Sequence, residues 1–168
     1  MSEQPVTFRP LAGETEARFC ADFIAASDPW MTLGMSSARM LPKLTNPARE
    51  VWVATVEEKI AGVMIIDLTG LLAGYIPILA VHPDFRCRGI GTRMLEWAEE
   101  RIFRRSPNIF LCVSSFNTHA RKLYERLGFQ RVGEFPDFLV KGHSEILMRK
   151  THGPLLEFKP SPEGMPRE

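Results

Sequence analysis

Cysteine is scarce in this chain: Cys20, Cys87 and Cys112 stand far apart, and no Cys-x-x-Cys pair occurs. An odd count without close spacing excludes a disulfide framework and fits a reducing compartment, so a cytoplasmic protein is expected. Histidine is as thinly spread. His82, His119, His143 and His152 are single, no two have zinc-ligand spacing, and no metal site is expected. Charge of one sign is missing too, since 21 Lys/Arg against 20 Asp/Glu leave +1 on 168 residues. That balance excludes a strongly basic nucleic-acid binder. Heptads, a collagen period and 20–50-residue repeats are absent. The first ten residues are polar, with Pro5 and Pro10, and lack the apolar stretch of a cleavable signal, so none is expected. One stretch, Ile60 to Val81, carries a single charge, Asp67. Gly62, Gly70, Gly74 and Pro77 break it, and Asp67 to Gly70 reads as a turn, which predicts two buried strands and no membrane span.

What is present suits one globular domain: 45% hydrophobic and 24% charged residues. Val6 to Pro10 reads as a short edge strand. Ala17, Cys20, Ala21, Ile24 and Ala25 form a helical stripe within Glu14 to Ala26, and Met31 to Leu44 is expected as a second short helix. Val51 to Val56, Ile60 to Leu68 and Leu71 to Val81 read as consecutive strands, with Glu57-Glu58-Lys59 as a tight turn. A glycine-bearing loop, Arg86 to Gly91, opens a helix whose buried face is Met94, Leu95, Ala98, Ile102 and Phe103. Asn108 to Val113 is a buried strand expected to run parallel to the third, making a right-handed crossover. Asn117 caps a helix with Ala120, Leu123, Tyr124 and Leu127 on one face, and Gly128 closes it. Phe129 to Phe135 and Phe138 to Arg149 finish as strands. The predicted class is α+β, one domain over residues 5–150 with a mixed, largely antiparallel six- to seven-stranded sheet and about four helices. Residues 151–168, with four prolines, read as an extended or disordered tail.

The most informative segment is Arg86-Cys87-Arg88-Gly89-Ile90-Gly91, between a strand and a helix start. Its glycines let main-chain N–H groups turn inward, and a helix N-terminus adds its dipole, an arrangement that holds phosphate oxygens. It is neither the dinucleotide fingerprint, whose third glycine is here Met94, nor a P-loop, which needs Gly-Lys-Ser/Thr. From His82 to Arg131 ten Lys/Arg face five acids, a balance of +5 within a nearly neutral chain. Such asymmetry suits a ligand with several phosphate charges. A solvated face is the plainer reading of Arg101, Arg104 and Arg105.

The run Val81-His82-Pro83-Asp84-Phe85-Arg86-Cys87-Arg88-Gly89-Ile90-Gly91 resembles the cofactor loop of the GNAT superfamily of N-acetyltransferases, V-x-P followed by R/Q-x-x-G-x-G/A. Asn117 lies 26 residues after Gly91 and opens N-x-x-A-x-x-L-Y-x-x-x-G-F, with Ala120, Leu123, Tyr124, Gly128 and Phe129 matching that family's second signature. The resemblance covers about residues 50–135. It implies acetyl-CoA as acyl donor and no metal. Pyrophosphate would sit on the amides of Arg86, Cys87, Arg88, Gly89, Ile90, Gly91 and Thr92. The pantetheine arm would pair with the main chain of Leu79, Ala80 and Val81, Asn117 would contact it, and Tyr124 would lie near the thioester sulfur as general acid. A free backbone N–H among residues 78–81 would serve the oxyanion.

The implied activity is transfer of an acetyl group to a primary amine of a small molecule or peptide, by direct attack in a ternary complex. A non-catalytic acyl-CoA sensor of the same fold is the alternative. Family members acting on protein N-termini often carry a glutamate five residues before the motif asparagine, where this chain has Cys112. The base is open among Asp67, Glu134, Asp137, Glu145, His82 and His119. Cys112 reads as a strand residue, not a nucleophile. Ser27 to Leu44 and Phe135 to Lys141 are expected to shape the acceptor site, with Trp30, Met31, Leu33, Met35, Met40, Phe135 and Phe138 as pocket wall or core. No acidic tract suits a polycation, which argues against aminoglycosides and polyamines. Partners are thus acetyl-CoA and an unidentified amine, without nucleic acid or membrane, and a homodimer is left open.

Overall fold

A strand that ends in proline has no N–H to offer a neighbour there, and β1 (Thr7–Pro10) accordingly lies at one edge of the sheet. The structure, a computed structural model, describes residues 5–161. Six further strands follow: β2 (Glu50–Val56), β3 (Lys59–Asp67), β4 (Tyr75–Val81), β5 (Asn108–Ser114), β6 (Gln130–Phe135) and β7 (Glu145–Thr151). The helices are α1 (Gly13–Ala25), α2 (Ser37–Leu44), α3 (Ile90–Ile102) and α4 (Thr118–Arg126). The sheet order is β1-β2-β3-β4-β5-β7-β6, with β4 and β5 parallel and the β1–β2, β2–β3, β5–β7 and β6–β7 pairs antiparallel. This is the expected α+β class with a mixed, largely antiparallel sheet. No helix among the described residues is long and apolar enough to cross a membrane.

The chain folds as two compact units, one comprising the chain up to Ile66 with Ile78–Leu95, the other Asp67–Pro77 with Glu96 onward. In the first, Ala17, Cys20, Ala21, Phe23 and Ile24 of α1 and Met40 and Leu44 of α2 form a core with Val53, Val63, Ile65 and Ile78. β3 is buried over Ala61–Ile66, so both faces are covered, and successive side chains must serve opposite layers. Gly62 shows how tightly: a Cβ there would lie 2.6 Å from Met94 Sδ of α3 and 3.0 Å from the Ala80 carbonyl of β4. The β2–β3 connection puts Glu57 and Glu58 both at positive φ, the geometry of a two-residue hairpin turn matched to strand twist.

Three elements start well after the sequence reading places them. The second helix starts at Ser37, not Met31. Asp28 Oδ1 accepts from the Thr32 N–H (3.1 Å) and hydroxyl (2.6 Å), which holds 28–34 as turns. Gly34 at φ +67° ends them, and the Ser36 hydroxyl accepts from the Arg39 N–H (3.3 Å) as the cap of α2. β4 begins at Tyr75, not Leu71, because Gly74 N–H bonds back to the Asp67 carbonyl (2.9 Å) and closes a loop at 68–73. β7 begins at Glu145, not Phe138, since Asp137, at φ +52°, takes the Gly142 N–H at 2.6 Å and folds the intervening residues into a turn.

In the second unit the parallel pair starts where Phe110 N–H meets the Gly74 carbonyl (3.1 Å), with Tyr75 opposite Phe110. The Ser106 hydroxyl donates to the Ala73 carbonyl (2.8 Å) and accepts from Asn108 N–H (3.2 Å), while Arg149 Nε donates to Asn108 Oδ1 (2.8 Å). Lys150 Nζ spans both Glu99 oxygens at 2.7 and 2.8 Å. Beyond β7, His152 stacks on Phe103 (centroids 3.7 Å apart), and Ser161 N–H bonds the Arg104 carbonyl (3.0 Å). Residues 162–168, the rest of the expected tail, lie outside the described residues.

Gly74 sits at φ +97°, and a Cβ there would fall 2.1 Å from the Asn108 carbonyl oxygen. Gly70 has φ +70°, and a Cβ there would meet nothing within 4 Å. Gly70→Ala should therefore cost only the left-handed penalty, about 1–2 kcal/mol. Gly74→Ala adds a main-chain clash and should cost more than about 3 kcal/mol. At about 2–4 °C per kcal/mol, scanning calorimetry should show Tm falling by at least about 6 °C for Gly74→Ala and roughly half that for Gly70→Ala. Equal losses would show that the close approach is not what Gly74 provides.

Candidate functional site

In the first unit, β4 ends at Val81, and His82 N–H bonds the Ala61 carbonyl of β3 (2.8 Å). A 3-10 turn, Pro83–Phe85, follows, with His82 Nδ1 accepting from Asp84 N–H at 3.3 Å. The His82 ring is packed on three sides: parallel to Phe19 (5.6 Å) and edge-on to Phe23 (5.2 Å) and Phe85 (6.0 Å). The loop then turns twice through positive φ, at Cys87 (59°) and Gly89 (73°). All four of its first residues, Arg86, Cys87, Arg88 and Gly89, are exposed. Arg86 Nε donates to the Val81 carbonyl (3.4 Å), and the Arg88 guanidinium lies over the Phe85 ring, 5.5 Å from its centroid.

The first intrahelical bond of α3 runs from Arg93 N–H to the Gly89 carbonyl (3.1 Å). The N–H groups of Ile90, Gly91 and Thr92 therefore precede the ladder and have no partner within it. They stand at the positive end of a 13-residue helix, after a backbone that has passed twice through positive φ, an arrangement chemically suited to an anion. Leu79, Ala80 and Val81 precede this loop, with His82 and the Pro83–Phe85 turn between. Of the expected cofactor residues, all but Asn117 thus fall on one continuous stretch of this unit.

In the second unit, Asn117 caps α4, its side-chain oxygen accepting from Ala120 N–H at 3.3 Å. Tyr124, on the same helix, is buried, with its ring 6.0 Å from Phe129. Burial pushes its phenol up to about 12, above the ordinary 10 that a simple general-acid role assumes. On β5, burial likewise raises the Cys112 thiol, against a hydrogen bond with the Tyr75 side chain that lowers it. A thiol held neutral is no nucleophile, in line with its reading as a strand residue. Among the described residues no group of three His, Cys, Asp or Glu side chains could hold a metal ion.

Comparison with known proteins fits this arrangement. A sequence model of the Acetyltransferase (GNAT) family matches residues 16–129, more than half of the chain. The chain belongs to the GNAT family. A Bacillus subtilis relative, S-(2-succino)cysteine N-acetyltransferase, is 39% identical over 74 residues, 42% of this chain and 44% of that protein, so the match spans less than half of the relative. Solved structures share the fold. Aminoglycoside 6'-N-acetyltransferase from Enterococcus faecium superposes with a TM-score of 0.68 at 20% identity, covering 88% of this chain and 98% of the other. A GNAT acetyltransferase from Elizabethkingia anophelis with acetyl-CoA bound does so with 0.66 at 17%, covering 87% and 97%.

Within this GNAT protein most of the candidate bases have other work. Asp67 Oδ1 accepts from Thr69 N–H (3.0 Å) and hydroxyl (2.6 Å), Glu134 pairs with Arg131, and Asp137 holds Gly142. His82 is a packed cap, and His119 is exposed on the first turn of α4. Glu145 alone of the six is nearly inaccessible, at 5% exposure. Of the acceptor-wall residues, Leu33 and Met40 are buried and Trp30 and Met35 pack on the core, while Met31, Phe135 and Phe138 are exposed. Phe135 and Phe138 pair with centroids 5.1 Å apart. The sequence reading ends β5 at Val113 and so misses Ser114, whose hydroxyl donates to Glu145 at 2.6 Å. A signal exists: polar Cys112 and Ser114 alternate with apolar residues of a buried strand.

Tyr124 also makes a stability prediction. Its folded pKa, about 12, lies above the unfolded value near 10. The unfolded chain therefore loses its phenolic proton first as pH rises. Burial's contribution is complete below about pH 10 and is lost as pH rises through about 12, a swing of order 2–3 kcal/mol. Urea midpoints of the native protein should fall more steeply from pH 9 to 11 than those of Tyr124→Phe. Parallel slopes would show that the phenol is not buried in solution.

Proposed function

We propose that this protein is an acetyl-CoA-dependent N-acetyltransferase that acetylates a primary amine of a small molecule by direct attack. The observation that carries the reading is the Arg86–Thr92 loop, where two positive-φ residues and the start of α3 leave consecutive N–H groups available to a pyrophosphate. Main-chain pairing of the pantetheine with Leu79, Ala80 and Val81, a contact from Asn117, and Tyr124 at the sulfur complete the proposal. The Bacillus subtilis relative supports an amino-acid acceptor, so S-(2-succino)cysteine and other S-substituted cysteines are the first amines to test.

In the reaction, nitrogen attacks the thioester carbonyl carbon, a backbone N–H among residues 78–81 holds the oxyanion, and the C–S bond breaks. An ordinary thiol has a pKa near 8.5, so complete proton transfer from a phenol near 12 to the departing thiolate is uphill. Tyr124 works as a fixed O–H donor that shares its proton with sulfur as negative charge develops there. It stays protonated across the physiological range, so no alkaline limb of activity below about pH 11 belongs to it.

Three measurements test the reading. Incubation with acetyl-CoA and an amine panel should release free CoA in a thiol assay. Tight CoA binding with no release against any amine would favour the sensor alternative. Tyr124→Phe keeps the ring and should lower kcat at least about tenfold with KM for acetyl-CoA nearly unchanged, as for an interaction made in the transition state. Full activity of that variant, with chemistry rate-limiting, would remove the role. Gly89→Val places a β-branched residue at φ +73° where space is open, so the loop reshapes while the core stands. Calorimetry should show CoA affinity weakened at least about tenfold in a folded variant; unchanged affinity would move the cofactor elsewhere.

A further inference from the structure

An amine that is an ammonium ion in neutral water must lose a proton before it can attack, and the second unit holds a buried carboxylate whose hydrogen-bond donor is a neutral hydroxyl, Glu145. β5 alternates between two environments: Ile109, Leu111 and Val113 are buried, while Phe110 and Cys112 are only half-covered. Side chains two residues apart share a face, so Ser114 extends the row of Phe110 and Cys112. Glu145 lies directly opposite Ser114, and Leu147 opposite Cys112, on β7. Cross-strand partners project to the same side, so Glu145 ends a polar row that runs Tyr75–Cys112–Ser114–Glu145 from β4 across β5 to β7.

We propose that Glu145 is the proton acceptor for the acceptor amine, with Ser114 as the residue that positions and tunes it. The inference rests on the acyltransfer reading above. The proton passes from the ammonium to the Glu145 carboxylate, and the neutral amine forms the N–C bond as C–S breaks. The second amine proton leaves as the amide forms and balances the CoA thiol, and Glu145 returns its own to solvent.

The surroundings of Glu145 favour this role. Burial raises its carboxyl above the ordinary range, opposed by the Ser114 hydroxyl and by a nearby His143. From β5 it faces Ser114 and the neutral Cys112. From β6 it faces Phe135, next to Glu134, whose partner is Arg131. Its hydrogen-bond donor is a neutral hydroxyl, whereas Glu16 is paired with Arg9 and Glu99 with Lys150. A carboxylate so placed gains more from a proton than one already bound to a cation.

The test uses the full chain, acetyl-CoA and the amine of the panel acetylated fastest. Glu145→Gln keeps the size and the Ser114 contact. It should lower kcat at pH 7 about 10²-fold or more, leave the acetyl-CoA Kd within about twofold, and replace the native acid limb, which levels off once Glu145 is charged, by a rise that follows the free-amine fraction up to the amine's own pKa. Ser114→Ala withdraws the hydroxyl that holds the carboxylate charged. Its acid limb should move to higher pH. A folded Glu145→Gln variant with the native rate and acid limb would overturn the proposal. So would a Ser114→Ala variant whose limb does not move, and that arm decides if Glu145→Gln does not fold. If the native protein binds acetyl-CoA yet acetylates nothing, the acyltransfer reading itself falls, a result distinct from either variant outcome.

Discussion

The parallel start of β4 beside β5 depends on a carbonyl and a Cα being allowed to touch. With a Cβ at Gly74 some 2.1 Å from the Asn108 oxygen, any other residue would hold the two main chains apart. The contact is fastened by Phe110 N–H on the Gly74 carbonyl and by the Ser106 hydroxyl on Ala73. It fixes where the parallel pair begins, and parallel pairs require a crossover, here α3. Because the crossover leaves the end of β4 through a loop, the N-terminus of α3 arrives at the C-terminal end of that strand, where open sheets usually hold ligands.

That placement determines which atoms are free to bind. Helical and sheet ladders consume main-chain donors, and only a helix start leaves several N–H groups in one place. The loop enlarges this resource by passing through the left-handed region at Cys87 and Gly89. The second unit follows a different logic, since its useful groups are side chains that burial has made reluctant to carry charge: Tyr124, Cys112 and Glu145.

Much of this is legible in the amino-acid order, and the failures have physical causes. The stripe Ala17–Cys20–Ala21–Ile24 marks α1 because one buried face repeats with the helical period. The Arg86–Gly91 and Asn117–Phe129 motifs mark a strand-to-helix turn and a capped helix because their roles fix residue types. Met31–Leu44 looks like one helix because its apolar content is uniform, yet Asp28 and Gly34 spend it on turns and leave Ser36 to cap. Phe138–Ser144 looks like a strand because its first residues are bulky, but the Asp137 carboxylate takes the Gly142 N–H and folds them away. Glu145 reads as one carboxylate among several. Its singularity comes from the cross-strand pairing with Ser114, and register between distant strands leaves no local trace in a sequence.

The packing of His82 has a consequence of another kind. Its imidazole lies flat against Phe19 and meets the edges of Phe23 and Phe85 while standing one turn before the phosphate-type loop. Aromatic rings shift the resonance of protons held above or beside them, steeply with distance. The carbon-bound protons of His82 are therefore a built-in magnetic gauge of how the loop stem sits against α1. Ordinary movement of Arg86 to Gly89 that leaves the stem in place is invisible to it, whereas tightening of the stem itself would be read directly from two sharp lines.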